Sequence, residues 1–147
     1  MPSSARGFSS IVCDKVAGKM ILFGGAGEVG FDTQTWAYDP VANTWKDLRP
    51  ANPPPGRVGH SMANDEGAGA AILFGGIQLS DSGIDLFDDT WAYDSVSNTW
   101  TNLNPAGKAP LPRDGHGMVY DPASRKVILF GGIPLFMYLN DTWSFGH

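Results

Sequence analysis

Three arginines and two histidines stand at matched places in this chain, and their side chains suit polar recognition. Arg57-Val58-Gly59-His60 and Arg113-Asp114-Gly115-His116 lie 56 residues apart. Arg6-Gly7-Phe8-Ser9 is a weaker first copy, with Ser9 in the histidine place. A guanidinium offers a planar fork of donors that fits a carboxylate. Arg6, Arg57 and Arg113 therefore have two readings. Each pairs with an Asp or a turn carbonyl of a neighbouring repeat, or together they form a ring that holds an acidic or polar ligand. His60 and His116 read first as histidines hydrogen-bonded to backbone, and second as ligand-binding or metal-binding groups. The serine in the third place speaks against a metal, which needs a fuller ligand set.

Other reactive groups are sparse. Cys13 is the single cysteine, so no disulfide forms within the chain. It lies in the strand-like run Ser10-Ile11-Val12-Cys13 and is expected to be a small buried hydrophobe rather than a nucleophile. No Gly-x-Ser-x-Gly, no phosphate-binding glycine loop and no paired His and Cys occur. The stretch 81–89 is acidic through Asp81, Asp85, Asp88 and Asp89. Its spacing matches no calcium loop, so it reads as a solvated acidic loop. Neither a metal nor any other cofactor is expected, and no catalytic residues are assigned. Lys and Arg number 10 against 15 Asp and Glu, for a net charge of −5. That excludes the basic stripe a nucleic-acid binder needs. No run of 18 apolar residues is present, so no membrane partner is expected. Residues 1–6 carry no apolar h-region of a signal peptide.

The elements that must position these groups repeat with them. Met20-Ile21-Leu22-Phe23-Gly24-Gly25 returns as Ala71-Ile72-Leu73-Phe74-Gly75-Gly76 and as Val127-Ile128-Leu129-Phe130-Gly131-Gly132. An Ile-Leu-Phe burst predicts a buried strand. The glycine pair that ends it supplies positive φ or a close backbone approach. Thr35-Trp36-Ala37-Tyr38-Asp39 recurs as Thr90-Trp91-Ala92-Tyr93-Asp94 and as Thr142-Trp143-Ser144-Phe145. Asn43-Thr44-Trp45 recurs as Asn98-Thr99-Trp100. Each unit thus predicts four strands. The first covers 8–14, 61–64 and 116–120. The second is the Ile-Leu-Phe run and the third the Trp-Ala-Tyr run. The fourth covers 44–48 and 99–103. Asp, Pro and Asn in 39–43 and 94–98 close the third-to-fourth turns. Proline-rich stretches 49–56 and 104–112 connect the units, because Pro blocks strand pairing.

A period near ~50 residues with these motifs in this order closely resembles the kelch-repeat family. The resemblance covers nearly the whole chain. In the second unit it rests on Arg57, Gly59-His60, Gly75-Gly76, Trp91-Ala92-Tyr93-Asp94 and Asn98-Thr99-Trp100. It implies an all-β propeller of four-stranded antiparallel blades. The blades would span about 6–48, 57–103 and 113–147, in a single kelch-repeat domain over 1–147. Trp36, Trp91 and Trp143, with Tyr38, Tyr93 and Phe145, are expected to fill the space between blades. The third blade lacks a fourth strand, and residues 1–5 are too short to supply one. Three blades do not close a ring, so the chain is expected to be a segment of a larger propeller or one part of a ring of several chains. Two chains in two-fold symmetry give six blades, the simplest closed arrangement.

The connectivity sends the blade linkers and the second-to-third-strand loops, 26–34, 77–88 and 133–140, to one face. These loops differ while the strands around them repeat, so they are the candidates for recognition. Loop 133–139 is the most apolar; Leu135, Phe136, Met137 and Tyr138 are candidate interface residues. The leading functional reading is a non-enzymatic module that binds a protein, a peptide or a small polar ligand on this face. Some kelch domains hold acidic peptides through arginines, and the resemblance extends that reading to Arg6, Arg57 and Arg113. One alternative is a structural subunit that joins others into a ring or filament through open blade edges. Another is a fragment of a kelch-type enzyme, resembling oxidases or sugar-acid isomerases. A copper site of the oxidase type needs Tyr, Cys and two His, and Cys13 has no His in its unit. The iron-binding pattern of another branch fails as well, because Glu28 and Asp32 are followed by Trp36 rather than His.

Overall fold

The structure is a computed structural model that describes residues 5–146. Of the leading segment 1–5, all but Ala5 lies outside the described residues, as does His147. The described residues are all β and turn, with no helix. The first sheet joins β1 (Ser10–Asp14), β2 (Lys19–Phe23), β5 (Thr35–Asp39) and β6 (Thr44–Asp47) in that order, every pair antiparallel. The second joins β7 (Ser61–Asp65), β8 (Ala70–Phe74), β11 (Thr90–Asp94) and β12 (Thr99–Asn102) in the same way. The third holds β13 (Gly117–Asp121), β14 (Lys126–Phe130) and β15 (Thr142–Phe145), and among the described residues it ends there. These are two four-stranded kelch blades and a three-stranded one, in an arc that does not close.

Local chemistry sets the strand ends. The first strand starts at Ser10 rather than Phe8 because Phe8 sits at φ 60, outside the extended region. Asp14 and Asp65 close the first-to-second turns: each Oδ1 accepts the backbone N–H groups two and three residues on. Asp39 and Asp94 do the same in the third-to-fourth turns. Asn43 and Asn98 end those turns at φ 53 and 51, a backbone that Asn tolerates. Two of the second-to-third connections are hairpins rather than plain loops. They are β3 (Ala26–Gly27) with β4 (Gly30–Phe31), and β9 (Ile77–Ser80) with β10 (Gly83–Leu86).

Successive side chains alternate between the two faces of a strand, so each blade has a small-residue face and a tryptophan face. Ile21, Phe23 and Ala37 of the first blade meet Met62, Leu73, Tyr93 and Trp100 of the second. Ala63, Ala70 and Ile72 of the second meet Val127, with Met118, Tyr120 and Phe145 of the third. The aromatic filling thus differs from expectation in two ways. Trp100, from the Asn-Thr-Trp motif, is the most deeply buried tryptophan, at 1% exposed. It packs between Phe23, with ring centroids 5.1 Å apart, and Tyr93, at 5.2 Å. Trp36 and Tyr38 belong to the tryptophan face of the first blade, which no other blade covers among the described residues, although Trp36 itself is buried and Tyr38 half-buried.

Cys13 is exposed, which corrects the expectation that it is buried. Val12 turns toward the second blade, so the alternation turns Cys13 the other way, with its partner Met20, onto that uncovered face.

Trp100→Ala is expected to destabilise the chain by about 3–5 kcal/mol, the cost of emptying a buried aromatic site. Trp45 holds the same place in the first blade, is half-buried and stacks on Tyr38. Trp45→Ala should therefore cost less than half as much. Urea unfolding of the two variants measures the difference, and equal losses would refute this packing order.

Candidate functional site

The recognition candidates gather on the linker face, where the chain enters each blade. Three antiparallel bridges tie the linkers to the second-to-third connections: Gly7 with Ala26, Val58 with Ile77, and Asp114 with Ile133. Arg57 and Arg113 enter here and are fully buried. Arg57 makes a two-pronged pair with Asp89, at 2.5 and 2.9 Å, and donates to the carbonyls of Gly75 and Pro55. Its guanidinium lies 3.9 Å from the centre of the Phe87 ring. Arg113 repeats the pattern with Asp141, at 2.6 and 2.9 Å, and with the carbonyls of Gly131 and Leu111. Arg6 pairs with Asp32 at 2.9 Å and donates to Gln34 at 3.1 Å.

These partners lie within each arginine's own blade. The chain keeps the pairing read from the sequence and changes the partner from a neighbouring repeat to the same one. The reason is topological: the linker and the third strand of one blade start side by side at the same end.

Asp141 was not singled out in the sequence, and the structure corrects the reading of Asp89 as part of a solvated acidic loop: both carboxylates pair with a buried arginine and join the site to the core. Each also accepts the indole N–H of the tryptophan two residues on, Trp91 and Trp143, at 2.6 Å. The recurrence Asp-Thr-Trp at 89–91 and 141–143 was the available signal. In the first blade Gln34 takes that place and accepts from Trp36 at 3.3 Å. The Arg113 guanidinium, with the Trp143 N–H, holds the Asp141 carboxyl down at about 2.

His60 and His116 sit at blade-to-blade contacts. Each is 5% exposed. The Nε2 of His60 lies 3.1 Å from the carbonyl oxygen of Phe23 in the preceding blade, and its ring meets the Phe23 edge at 5.6 Å. His116 repeats the ring contact with Phe74 at 5.6 Å. Neither of its ring nitrogens has a partner of ordinary hydrogen-bond geometry, although the Phe74 carbonyl still acts weakly to raise its pKa. Burial first, and then the charge of Arg57 or Arg113, lowers both histidines to about 4. Both are neutral at pH 7, which suits packing and carbonyl contact. No group of three or more His, Cys, Asp or Glu among the described residues is placed to hold a metal ion.

The rim above these anchors is apolar and exposed. Leu135, Phe136, Met137 and Tyr138 are 59, 94, 61 and 88% exposed. Leu79 and Ile84 of the β9–β10 hairpin, Val29 of the β3–β4 hairpin and Phe8 are exposed too. Between them stand the exposed carboxylates Glu28, Asp81 and Asp85. The structure therefore separates the sequence candidates into buried arginines and histidines below and apolar loop side chains above.

A histidine held near 4 in the fold and near ~6.5 when unfolded binds its proton better in the unfolded chain. Stability contributed by His60 and His116 is full above pH ~6.5 and is lost as pH falls toward 4. A loss of a few kcal/mol over that window is expected from chemical unfolding at each pH. His60→Gln with His116→Gln should flatten it; an unchanged slope would show that other groups carry the dependence.

The KLHDC2/KLHL20/DRC7 Kelch-repeats domain matches residues 1–147. Putative adagio-like protein 2 of Oryza sativa subsp. japonica is 33% identical over 135 residues, covering 86% of this chain and 20% of that protein. Adagio-like protein 1 of the same organism is 34% identical over 119 residues, 78% of this chain and 18% of that protein. Kelch repeat-containing protein 2 of Saccharomyces cerevisiae is 38% identical over 95 residues, 61% of this chain and 10% of that protein. The chain thus spans a fifth or less of the length of these relatives. Repeated blades, buried Arg–Asp pairs and a family match over its whole length make this chain a member of the kelch-repeat family.

Proposed function

We propose that the chain is a non-enzymatic binding module that takes a protein or peptide partner on the linker face. The carrying observation is the run Leu135 to Tyr138, four large side chains that are each more than half exposed. Exposed apolar groups clustered on one face favour association with another chain. Leu79, Ile84 and Val29 extend the apolar area, and Glu28, Asp81 and Asp85 give it negative charge. The partner's matching chemistry is an apolar segment with Lys or Arg beside it. In this reading Arg6, Arg57, Arg113, His60 and His116 serve binding from below. They fix the loops on a rigid frame, and the loop side chains make the contact.

Peptides selected from a random library against the chain test this. They are expected to shift the backbone amide signals of residues 77–86 and 133–140 in nuclear magnetic resonance. Phe136→Ser with Tyr138→Ser should weaken them at least about tenfold, the loss of one or more anchor side chains, with no change in melting temperature. Ligands that shift other surfaces, or that ignore these substitutions, would overturn the reading.

Assembly is the second part of the proposal. The tryptophan face of the first blade exposes Ile11 and Met20, with the half-buried Tyr38 beside them. The small-residue face of the third carries Val119, Ile128 and Phe130. They are the two opposite halves of a contact that the chain makes twice within itself. A second copy joined at both ends by two-fold symmetry gives six blades. Light scattering is expected to give twice the chain mass at micromolar concentration. A stable monomer across that range would exclude the dimer.

A further inference from the structure

Two lysines stand where the next repeat has none. On β2, Lys19 is two residues from Ile21. Across β5 and β6, Ile21 lies opposite Ala37 and Ala37 opposite Lys46. Residues two apart on a strand share a face, as do residues directly opposite each other. All four side chains therefore leave the first blade on the side that meets the second. Ile21 and Ala37 belong to the core between the two blades, while Lys19 is half-buried and Lys46 exposed. With Tyr93 and Ser95 of the second blade they line a cavity of about 160 Å³. It lies at the turn end of the blades, away from the linker face. Lys19 directly follows the first-to-second turn, and Ser95 lies in the third-to-fourth turn of its blade.

Three observations point to a ligand here. First, the lysines are unpaired. The ion pairs among the described residues join Arg6, Lys15, Arg49, Arg57 and Arg113 to carboxylates, and Lys19 and Lys46 enter none of them. Asp39 feels the charge of Lys19, but its Oδ1 accepts the turn amides of Val41 and Ala42. In a chain of net charge −5, two ammonium groups at one cavity make a local field of the opposite sign. Second, Ser95 Oγ is buried and has no hydrogen-bond partner among the described residues. A hydroxyl left in that state is destabilising until a partner reaches it. Third, the floor repeats and the lysines do not. Ile21 and Ala37 return one blade on as Ile72 and Ala92, whereas Lys19 and Lys46 give way to Ala70 and Thr101. The blade scaffold therefore does not require them.

We propose that this cavity binds an aryl phosphate, presented as a free ester or as a phosphotyrosine side chain. A cavity of ~150 Å³ accepts a benzene ring, and the floor of Ile21, Ala37 and Tyr93 suits one. A phosphomonoester carries roughly two negative charges at pH 7, which Lys19 and Lys46 balance. Its outer oxygens accept from the two ammonium groups and from Ser95 Oγ. A carboxylate brings a single charge, and an uncharged aromatic leaves all of these donors without a partner. The proposal is independent of the linker-face reading, since the cavity lies at the opposite end of the blades.

The probe is phenyl phosphate, titrated into the full chain by calorimetry. Amide signals are followed in parallel. The expected result is saturable binding that shifts Lys19, Ala37, Lys46 and Ser95. Phenol, which lacks the charge, and inorganic phosphate, which lacks the ring, should each bind at least about tenfold more weakly. Lys19→Gln with Lys46→Gln should weaken phenyl phosphate by at least about tenfold, and Ser95→Ala by roughly threefold. Added salt should weaken binding to the intact chain and have little effect on the double variant. The comparison of probes leaves the chain unaltered, so the test holds even if a variant is unstable. Tighter binding of N-acetyl-phosphotyrosine amide than of phenyl phosphate supports the site with a modified peptide as the source. Weaker binding supports it with a free ester as the source. No saturation at millimolar phenyl phosphate, equal binding of inorganic phosphate, or shifts confined to the linker-face loops would each overturn the proposal.

Discussion

The arc depends on how closely one blade can approach the next at the glycine pairs. Gly25 N donates to the Arg57 carbonyl at 2.9 Å, and Gly76 N donates to the Arg113 carbonyl at 2.8 Å. A β-carbon on Gly24 would meet the Arg57 carbonyl at 2.9 Å and the His60 ring at 2.8 Å. One on Gly75 would meet the Arg113 carbonyl at 2.5 Å. Both glycines also hold φ near 70, a backbone other residues rarely adopt. A hydrogen at these points lets the next linker lie against the end of the second strand. Any larger group pushes the blades apart and opens the core between them.

That approach explains why charged groups sit so deep. With the linker carbonyl turned to the preceding blade, the side chain of Arg57 or Arg113 turns into its own blade. There a carboxylate and two carbonyls meet its donors. A buried guanidinium without such partners would be strongly destabilising. The same carboxylate holds the indole of Trp91 or Trp143, so one Asp fixes both the loop base and the first aromatic of the third strand. The histidines complete the joint as neutral rings against Phe23 and Phe74. Loops above this frame vary in length and composition because their bases are fixed whatever their tips carry.

Much of this was legible in the residues. The recurring Ile-Leu-Phe-Gly-Gly and Thr-Trp-Ala-Tyr runs marked the strands, and boundaries moved by one or two residues where a turn residue such as Phe8 left the extended region. The linker face and its three unequal connections followed from strand order. The hairpins β3–β4 and β9–β10 were less legible, because short, partly exposed strands carry no apolar alternation. Asp141 was passed over, and Asp89 was read as one charge of a solvated loop, because an Asp before a strand shows no pairing role until a buried arginine is found opposite it.

The sequence by itself determined the repeat, the antiparallel four-strand unit, the Gly-Gly stops and the family. These are written in local residue types and in a period, and neither needs a partner to be recognised. Only the tertiary structure decided which face each residue takes and what it meets there. It gave Trp100 rather than Trp36 the deepest packing, and it turned Cys13 outward by alternation. It paired each arginine within its own blade, and it brought Lys19, Lys46 and Ser95 around one cavity. Those outcomes depend on contacts between residues as much as 65 positions apart, as Thr35 and Trp100 are, and such contacts exist only once the blades have stacked.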